Sequence, residues 1–96
     1  MIDRRNDEPL EDRMANEMSA AEGLRGIFAD ELAMDPALVT DDLQYNVAPE
    51  WDSAAHMYLV AAIEEKYDIA IPDDEVAGMT TFPAVVRIVS RLIGSR

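Results

Sequence analysis

The chain has 96 residues, of which 49% are hydrophobic, so it can build one domain around a modest core but not a second domain. It contains no cysteine, which excludes disulfides, thiolate nucleophiles and cysteine-ligated metal sites. Its formal net charge of −12 at pH 7 disfavours binding to nucleic acid and to anionic membrane surfaces.

The negative charge lies in the middle of the chain. Thirteen acidic residues and a single base, Lys66, fall between Asp30 and Glu75, whereas acids and arginines balance outside that segment. Such a field speeds encounter with basic protein surfaces, although surface acids can also serve only to keep a small protein in solution. Composition leaves these two interpretations open.

The sequence shows no sign of membrane targeting. No apolar stretch is long enough to cross a bilayer, and the first residues, MIDRRNDEPLEDR, lack the apolar middle of a secretory signal. We therefore expect a cytoplasmic protein without a membrane partner. We also expect it to be a monomer.

The N-terminal part predicts a first helix that ends before a proline. We expect residues 1–17 to be partly disordered or to extend this helix, and residues 18–96 to form the domain. Apolar residues at helical spacing are Leu24, Ile27, Phe28 and Leu32. Gly23 and Gly26 weaken the helix, and Pro36 ends it because proline cannot continue the hydrogen-bond ladder.

A long connection, residues 35–52, follows the first helix. Ordered connections of this length are often functional. Its apolar residues do not alternate with a period of two, so we interpret them as anchors of a loop rather than as a strand. These anchors are Leu38, Val39, Leu43, Tyr45 and Val47.

Two further main helices and one short helix complete an all-α prediction. The second helix spans residues 53–67 and the short acidic helix residues 72–76. The last helix follows Thr81, its expected N-cap, with Pro83 in its first turn. The expected buried positions of the second helix are Met57, Val60, Ile63 and Tyr67, with Leu59 beside them.

The signatures of catalysis are weak in this chain. His56 follows Ser53 by three residues, but the sequence offers no third group to orient it, so we assign no catalytic dyad. We expect His56 to face solvent or a partner instead. Ligands at EF-hand spacing, a phosphate-binding glycine loop and zinc-ligand spacing are missing from the sequence. These observations argue against an enzyme.

Asp52 and Ser53 stand at the entrance of the second helix. A serine here can simply cap the helix by accepting a bond from a free backbone N–H. The same position also favours an attached phosphate, because unpaired N–H groups and the helix dipole stabilise an anion. Asp52 could then help to hold a metal ion for the enzyme that attaches the phosphate. Local sequence leaves both interpretations open.

Residues 24–93 resemble the acyl carrier proteins of fatty-acid, polyketide and nonribosomal peptide synthesis. FADELAMDPALVTDDL resembles the end of the first helix and the start of its loop. WDSAAHMYLVAAIEEKYDIAIPDDEV resembles the Asp-Ser attachment motif, the second helix and an isoleucine run before a proline and acids. MTTFPAVVRIVSRLI resembles the last helix. The Asp-Ser dipeptide alone is weak evidence, whereas its distance to the later motifs is more specific.

The resemblance implies an acyl-carrier-protein-like four-helix bundle, three main helices plus one short helix, with a long loop between helices 1 and 2. Ser53 would carry covalent 4′-phosphopantetheine, attached from coenzyme A by a phosphopantetheinyl transferase with support from Asp52. The thiol of this arm would hold cargo as a thioester. Further implied partners are an acyl- or amino-acid-activating ligase and downstream biosynthetic enzymes with basic docking surfaces. Candidate docking residues are Trp51, Ala54, His56, Met57, Tyr58, Glu64, Glu65, Asp73, Asp74 and Glu75.

The sequence departs from the family's pattern beside Ser53. Ala54 stands where leucine, valine or methionine is usual, and Tyr58 where many fatty-acid carriers have an acid. We therefore expect a specialised freestanding carrier rather than the housekeeping fatty-acid one. WDS followed by Ala-Ala-His is also similar to small bacterial carriers loaded by stand-alone amino acid ligases, so an aminoacyl carrier is one alternative. An acidic helical protein-interaction module without a cofactor is the alternative from another class.

Overall fold

The computed structural model describes the backbone of residues 10–94 and the side chains of residues 18–94. This part of the chain forms four α-helices: α1 (Leu10–Glu31), α2 (Ser53–Tyr67), α3 (Asp73–Gly78) and α4 (Phe82–Gly94). A three-residue 3-10 helix (Pro36–Leu38) lies in the long loop between α1 and α2. Between residues 10 and 94 there is no β-strand, and one isolated antiparallel β-bridge pairs Gln44 with Thr81. The all-α prediction, with three main helices and one short helix, is confirmed.

The ends of the elements follow the local signals in the sequence. Asp35 is extended (φ −65°, ψ 132°) and accepts a hydrogen bond from the Ala37 amide at 2.9 Å, so the chain leaves α1 before Pro36 as expected. Thr81 Oγ1 accepts a bond from the Ala84 amide at 3.2 Å, which confirms Thr81 as the cap of α4. The first nine residues, where the sequence leaves disorder or helix open, lie outside the described part.

The core is built around three aromatic rings from different elements. Phe28 of α1 packs edge-to-face against Trp51 of the loop, with ring centroids 5.0 Å apart, and against Phe82 of α4, at 5.1 Å. The other fully buried large side chains are Leu24, Val39, Leu59, Ile63, Met79, Val85 and Val89. Trp51 therefore anchors the long loop to the helices, and α1 packs against both α2 and α4.

The buried face of α2 differs from the predicted one. Met57 was expected in the core, but its side chain is 73% exposed. Ile63 and Leu59 are buried as predicted, and Val60 and Tyr67 are half-buried, but His56 is buried in place of Met57. His56 takes this interior position because Trp51 of the loop offers it a buried hydrogen-bond partner, which a count of apolar positions does not register.

Two of the five predicted loop anchors are wrong. Val39 and Leu43 are buried and Tyr45 is half-buried, as expected for anchors. The side chains of Leu38 and Val47, however, are exposed. The 3-10 turn and the tight turns after residue 43 point them away from the helices.

Gly23 allows α1 to approach the end of α2. A Cβ atom at this position would lie 2.4 Å from the hydroxyl oxygen of Tyr67, which is closer than real atoms come. Gly23 therefore weakens the helix locally but permits this packing.

None of the helices within residues 10–94 is long and apolar enough to span a membrane.

Candidate functional site

The candidate site is centred on Ser53, the first residue of α2. Ser53 is exposed, and the helix is capped by Asp52, whose Oδ1 accepts a hydrogen bond from the Ala55 amide at 2.9 Å. The interpretation of Ser53 as the N-cap is therefore wrong, because the neighbouring carboxylate takes that role. The Ser53 hydroxyl is left on the surface, beside the N-terminal end of the helix.

The hydroxyl of Ser53 has a side-chain partner in the loop. Its Oγ lies 3.0 Å from the hydroxyl oxygen of Tyr45, and either group can donate. The sequence pattern indicates only that Tyr45 anchors the loop. No spacing rule marks this contact, because the two residues are eight positions apart in irregular chain and only the closed loop brings them together.

Tyr45 is held in place by its backbone and by its ring. Its amide donates to the Thr80 carbonyl at 2.9 Å, just before α4. Its ring lies against the imidazole of His56, with centroids 4.6 Å apart, and 6.0 Å from that of Trp51. The hydroxyl that meets Ser53 is thus carried by a fixed ring.

Beneath Tyr45, a buried polar chain connects the loop, α2 and α3. The indole Nε1–H of Trp51 donates to Nδ1 of His56 at 3.0 Å. Because an indole N–H can only donate, Nδ1 is the acceptor and the ring proton sits on Nε2. This Nε2–H points at the Val76 carbonyl oxygen, 3.3 Å away. His56 thereby fastens the loop and α2 to α3.

Two predicted docking residues belong to this interior. Trp51 is fully buried and His56 is only 8% exposed, so the expectation that His56 faces solvent or a partner is wrong. Neither side chain lies on the surface for a partner to contact. Both ring nitrogens of His56 have partners other than Ser53, and the structure therefore does not form the Ser53–His56 pair that a dyad requires.

Two predicted docking acids also have partners within the chain. Glu64 Oε2 accepts a hydrogen bond from the Ile71 amide at 2.8 Å, across the turn between α2 and α3. Glu75 forms an ion pair with Arg91 of α4. These carboxylates contribute to the fold, whatever further contacts they make.

The other predicted docking residues are on the surface. Met57 and Tyr58 are 73% and 66% exposed. The remaining four, all exposed, are Ala54, Glu65, Asp73 and Asp74. This surface combines apolar side chains near Ser53 with carboxylates further along α2 and at the start of α3.

The residues around Ser53 fit an attached phosphodiester. Ser53 is exposed, it lies in the first turn of α2 beside the amide groups of that turn, and its neighbour Ala54 is small and exposed. Tyr45 adds a hydroxyl that can donate. By contrast, no group of three or more histidine, aspartate and glutamate side chains within the described residues could hold a metal ion.

Comparison with known proteins gives a consistent result. No protein-family model matches the chain. It is similar to the acyl carrier protein of Akkermansia muciniphila, with 32% identity over 76 residues, or 79% of this chain and 95% of the relative. It is also similar to the acyl carrier protein of Thermosynechococcus vestitus, with 26% identity over 80 residues, or 83% of this chain and 99% of the relative.

A third relative has a more specialised name. The meromycolate extension acyl carrier protein of Mycolicibacterium aurum is 27% identical over 78 residues, or 81% of this chain and 80% of the relative. The similarity thus spans most of this chain and most of each of these relatives. Together with the four-helix fold, it shows that the chain belongs to the acyl carrier protein family, a family of non-enzymatic carriers with a phosphopantetheine prosthetic group.

Proposed function

We propose that Ser53 carries 4′-phosphopantetheine and that the chain holds acyl or aminoacyl cargo on it for delivery to partner enzymes. The observation that supports this most is the position of the Ser53 hydroxyl. It is exposed at the first residue of α2, while Asp52 rather than Ser53 satisfies the backbone of the first turn. Ser53 is therefore free of a capping role and open to a modifying enzyme.

Attachment follows from the chemistry of a serine and coenzyme A. The Ser53 Oγ–phosphorus bond forms as the pyrophosphate bond of coenzyme A breaks, adenosine 3′,5′-bisphosphate leaves, and the serine proton passes to the transferase. The amide groups and dipole of α2 favour the resulting anion. Asp52 remains exposed while it caps the helix, so a transferase-bound metal ion can reach its carboxylate. The bound group supplies the thiol that forms the thioester, which this cysteine-free chain does not have.

Intact-mass measurement after co-expression with a broad-specificity phosphopantetheinyl transferase tests the proposal. We expect a mass gain of one arm in the wild-type chain and none in Ser53→Ala. Ser19→Ala is a matched control, because Ser19 is also exposed but lies on α1, and it should keep the gain. A wild-type chain that gains no mass, or a gain that survives Ser53→Ala, would contradict the proposal.

The exposed surface of α2 and α3 supports docking of basic partners. Glu65, Asp73 and Asp74 are exposed there, in the acidic middle of the chain. Charged surfaces of this kind raise the rate of encounter more than the affinity, which suits a carrier that exchanges partners. We infer that the transferase, an activating ligase and downstream biosynthetic enzymes dock on this surface. We also infer that the carrier is a monomer in the cytoplasm. A cofactor-free interaction module would instead bind its partner equally well after Ser53→Ala.

For cargo, we favour a short or polar group over a long acyl chain, as in an aminoacyl or other specialised freestanding carrier. The supporting observation is the His56–Val76 hydrogen bond, which joins α2 to α3 one helical turn from Ser53. A long chain folded back from Ser53 into the seam between these helices would have to break that bond. A short polar cargo remains outside and leaves it intact.

Loading experiments distinguish these cargoes. The phosphopantetheinylated chain is incubated with a panel of acyl- and amino-acid-activating ligases, and the products are identified by mass. We expect thioesters of amino acids or short acids. The melting temperature of a chemically loaded long-chain thioester should not exceed that of the unloaded form, and a rise of several degrees would indicate that the chain is buried and would contradict the preference for short cargo.

A further inference from the structure

We propose that Tyr45 is a positioning residue for the prosthetic arm: its hydroxyl donates a hydrogen bond to the phosphodiester on Ser53 and holds the first bonds of the arm against the loop. This inference rests on the proposed modification of Ser53 and assigns a role to a residue outside the attachment motif. It starts from the 3.0 Å contact between the two hydroxyl oxygens.

Modification changes which group can donate in this contact. In the unmodified chain either hydroxyl can be the donor. Once Ser53 is esterified its oxygen has no hydrogen, and the phosphodiester presents only acceptor oxygens. The Tyr45 O–H must then donate, to the ester oxygen or to an adjacent charged oxygen of the phosphate. A bond from a neutral donor to a charged acceptor is stronger than one between two neutral hydroxyls, so modification strengthens this contact.

The position of Tyr45 makes the contact directional. Its amide is bound to the Thr80 carbonyl, and its ring rests on His56. His56 is itself held at both ring nitrogens, by Trp51 and by the Val76 carbonyl. The Tyr45 hydroxyl is therefore held in place where the loop contacts both α2 and the segment between α3 and α4. The arm is consequently biased toward the loop side of Ser53.

Phosphorus NMR of the modified chain measures this contact directly. A net hydrogen bond to a charged acceptor corresponds to a bound-to-released ratio of about tenfold to a hundredfold, so the wild-type resonance should differ from that of a free phosphodiester. In Tyr45→Phe the ring and its packing are kept but the donor is lost. We expect its resonance to move toward the free value and the arm's methylene signals to sharpen.

Tyr67→Phe is the matched control. It removes the same hydroxyl from the other end of α2, about 20 Å from Ser53 at the helical rise per residue. Its phosphorus resonance should coincide with that of the wild type. Urea unfolding of both variants verifies that the fold is retained.

The possible outcomes separate the inference from the proposed function. If the wild-type chain gains no arm by mass, both fail. If Ser53 is modified but the Tyr45→Phe resonance coincides with the wild type, the positioning role is refuted while the carrier function stands. An equal displacement in Tyr67→Phe would likewise refute it, since the effect would then not depend on contact with Ser53.

Discussion

The two ends of α2 are held in different ways. At the N-terminal end, Tyr45, Trp51 and His56 form a hydrogen-bonded and stacked aromatic cluster beneath an exposed serine. At the C-terminal end, Tyr67 packs over Gly23 of α1. A buried polar cluster thus fixes the end that carries the candidate site, whereas the other end combines the close approach of Tyr67 to Gly23 with a partly buried hydrogen bond from the Ile71 amide to Glu64.

The difference shows how a small domain can hold an exposed side chain beside a buried, hydrogen-bonded cluster. Buried polar groups that are fully paired specify one arrangement of the surrounding chain. Here they locate the loop relative to α2 and so place Tyr45 beside the exposed Ser53. The predictions below test each end separately.

The largest effect is expected for His56→Ala, which acts at the N-terminal end. It removes the acceptor of the buried Trp51 N–H and the link from α2 to the Val76 carbonyl, and it leaves a cavity. We expect a loss of about 2–4 kcal/mol in the free energy of unfolding, measured in urea. Trp51 fluorescence should also shift to longer wavelength.

Met57→Ala is the control for this change, since Met57 is the exposed neighbour of His56. Its unfolding free energy should stay within about 0.5 kcal/mol of the wild type. A similarly small change in His56→Ala would mean that the buried chain of hydrogen bonds does not hold the N-terminal end together.

At the C-terminal end, Gly23→Ala tests the close packing. Its Cβ would lie 2.4 Å from the Tyr67 hydroxyl, so we expect a net loss of about 1–2 kcal/mol despite the better helix propensity of alanine. Thermal or urea unfolding measures it. Adding Tyr67→Phe removes the clashing oxygen and should recover part of the loss.

Gly26→Ala, on the same helix, should change the free energy of unfolding in the opposite direction. A Cβ at Gly26 meets no heavy atom within 4 Å, so only the propensity changes, and we expect a gain of up to about 1 kcal/mol. Equal effects at Gly23 and Gly26 would show that helix propensity alone, rather than contact with Tyr67, governs this end.

Two adjacent glutamates separate folding from docking. Glu64 accepts a hydrogen bond from the Ile71 amide, whereas Glu65 is exposed. Glu64→Ala should reduce the unfolding free energy by about 1 kcal/mol. Glu65→Ala should leave stability unchanged within about 0.5 kcal/mol but slow modification by the transferase, most strongly at low salt. If the two variants had the same effects on the unfolding free energy and on the rate of modification, separate roles for Glu64 in folding and Glu65 in docking would be ruled out.

The smallest effect concerns pH at the C-terminal end. Burial raises the pKa of the Tyr67 phenol above its ordinary value of 10.0. The unfolded chain therefore loses this proton at a lower pH than the folded chain, so stability is complete below about pH 10 and declines as pH rises through and above that value. We expect Tyr67→Phe to show a shallower fall in melting temperature between about pH 9 and pH 11. Identical slopes would contradict a difference between the two states.

The helix boundaries, the position of Ser53 and the charge of the middle segment depend on local sequence and were therefore predictable from it. Pro36 and Thr81 mark helix boundaries by their own geometry and hydrogen bonding, and the structure confirms both. The place of Ser53 at the start of α2 was predicted for the same reason. The acidity of the middle segment and the lack of a thiol follow directly from composition. Each of these depends on one residue or on a short run of neighbours.

Only the tertiary structure decided what surrounds Ser53. Capping by Asp52, burial of His56 in place of Met57, and the Tyr45–Ser53 contact were not predicted. Capping could have been assigned to either member of the Asp-Ser pair, and periodicity classes histidine as a polar surface residue. The contact with Tyr45 requires the loop to close through Trp51 on the core and through Thr80 before α4. Such contacts depend on distances between residues far apart in the chain, which exist only once the helices have packed.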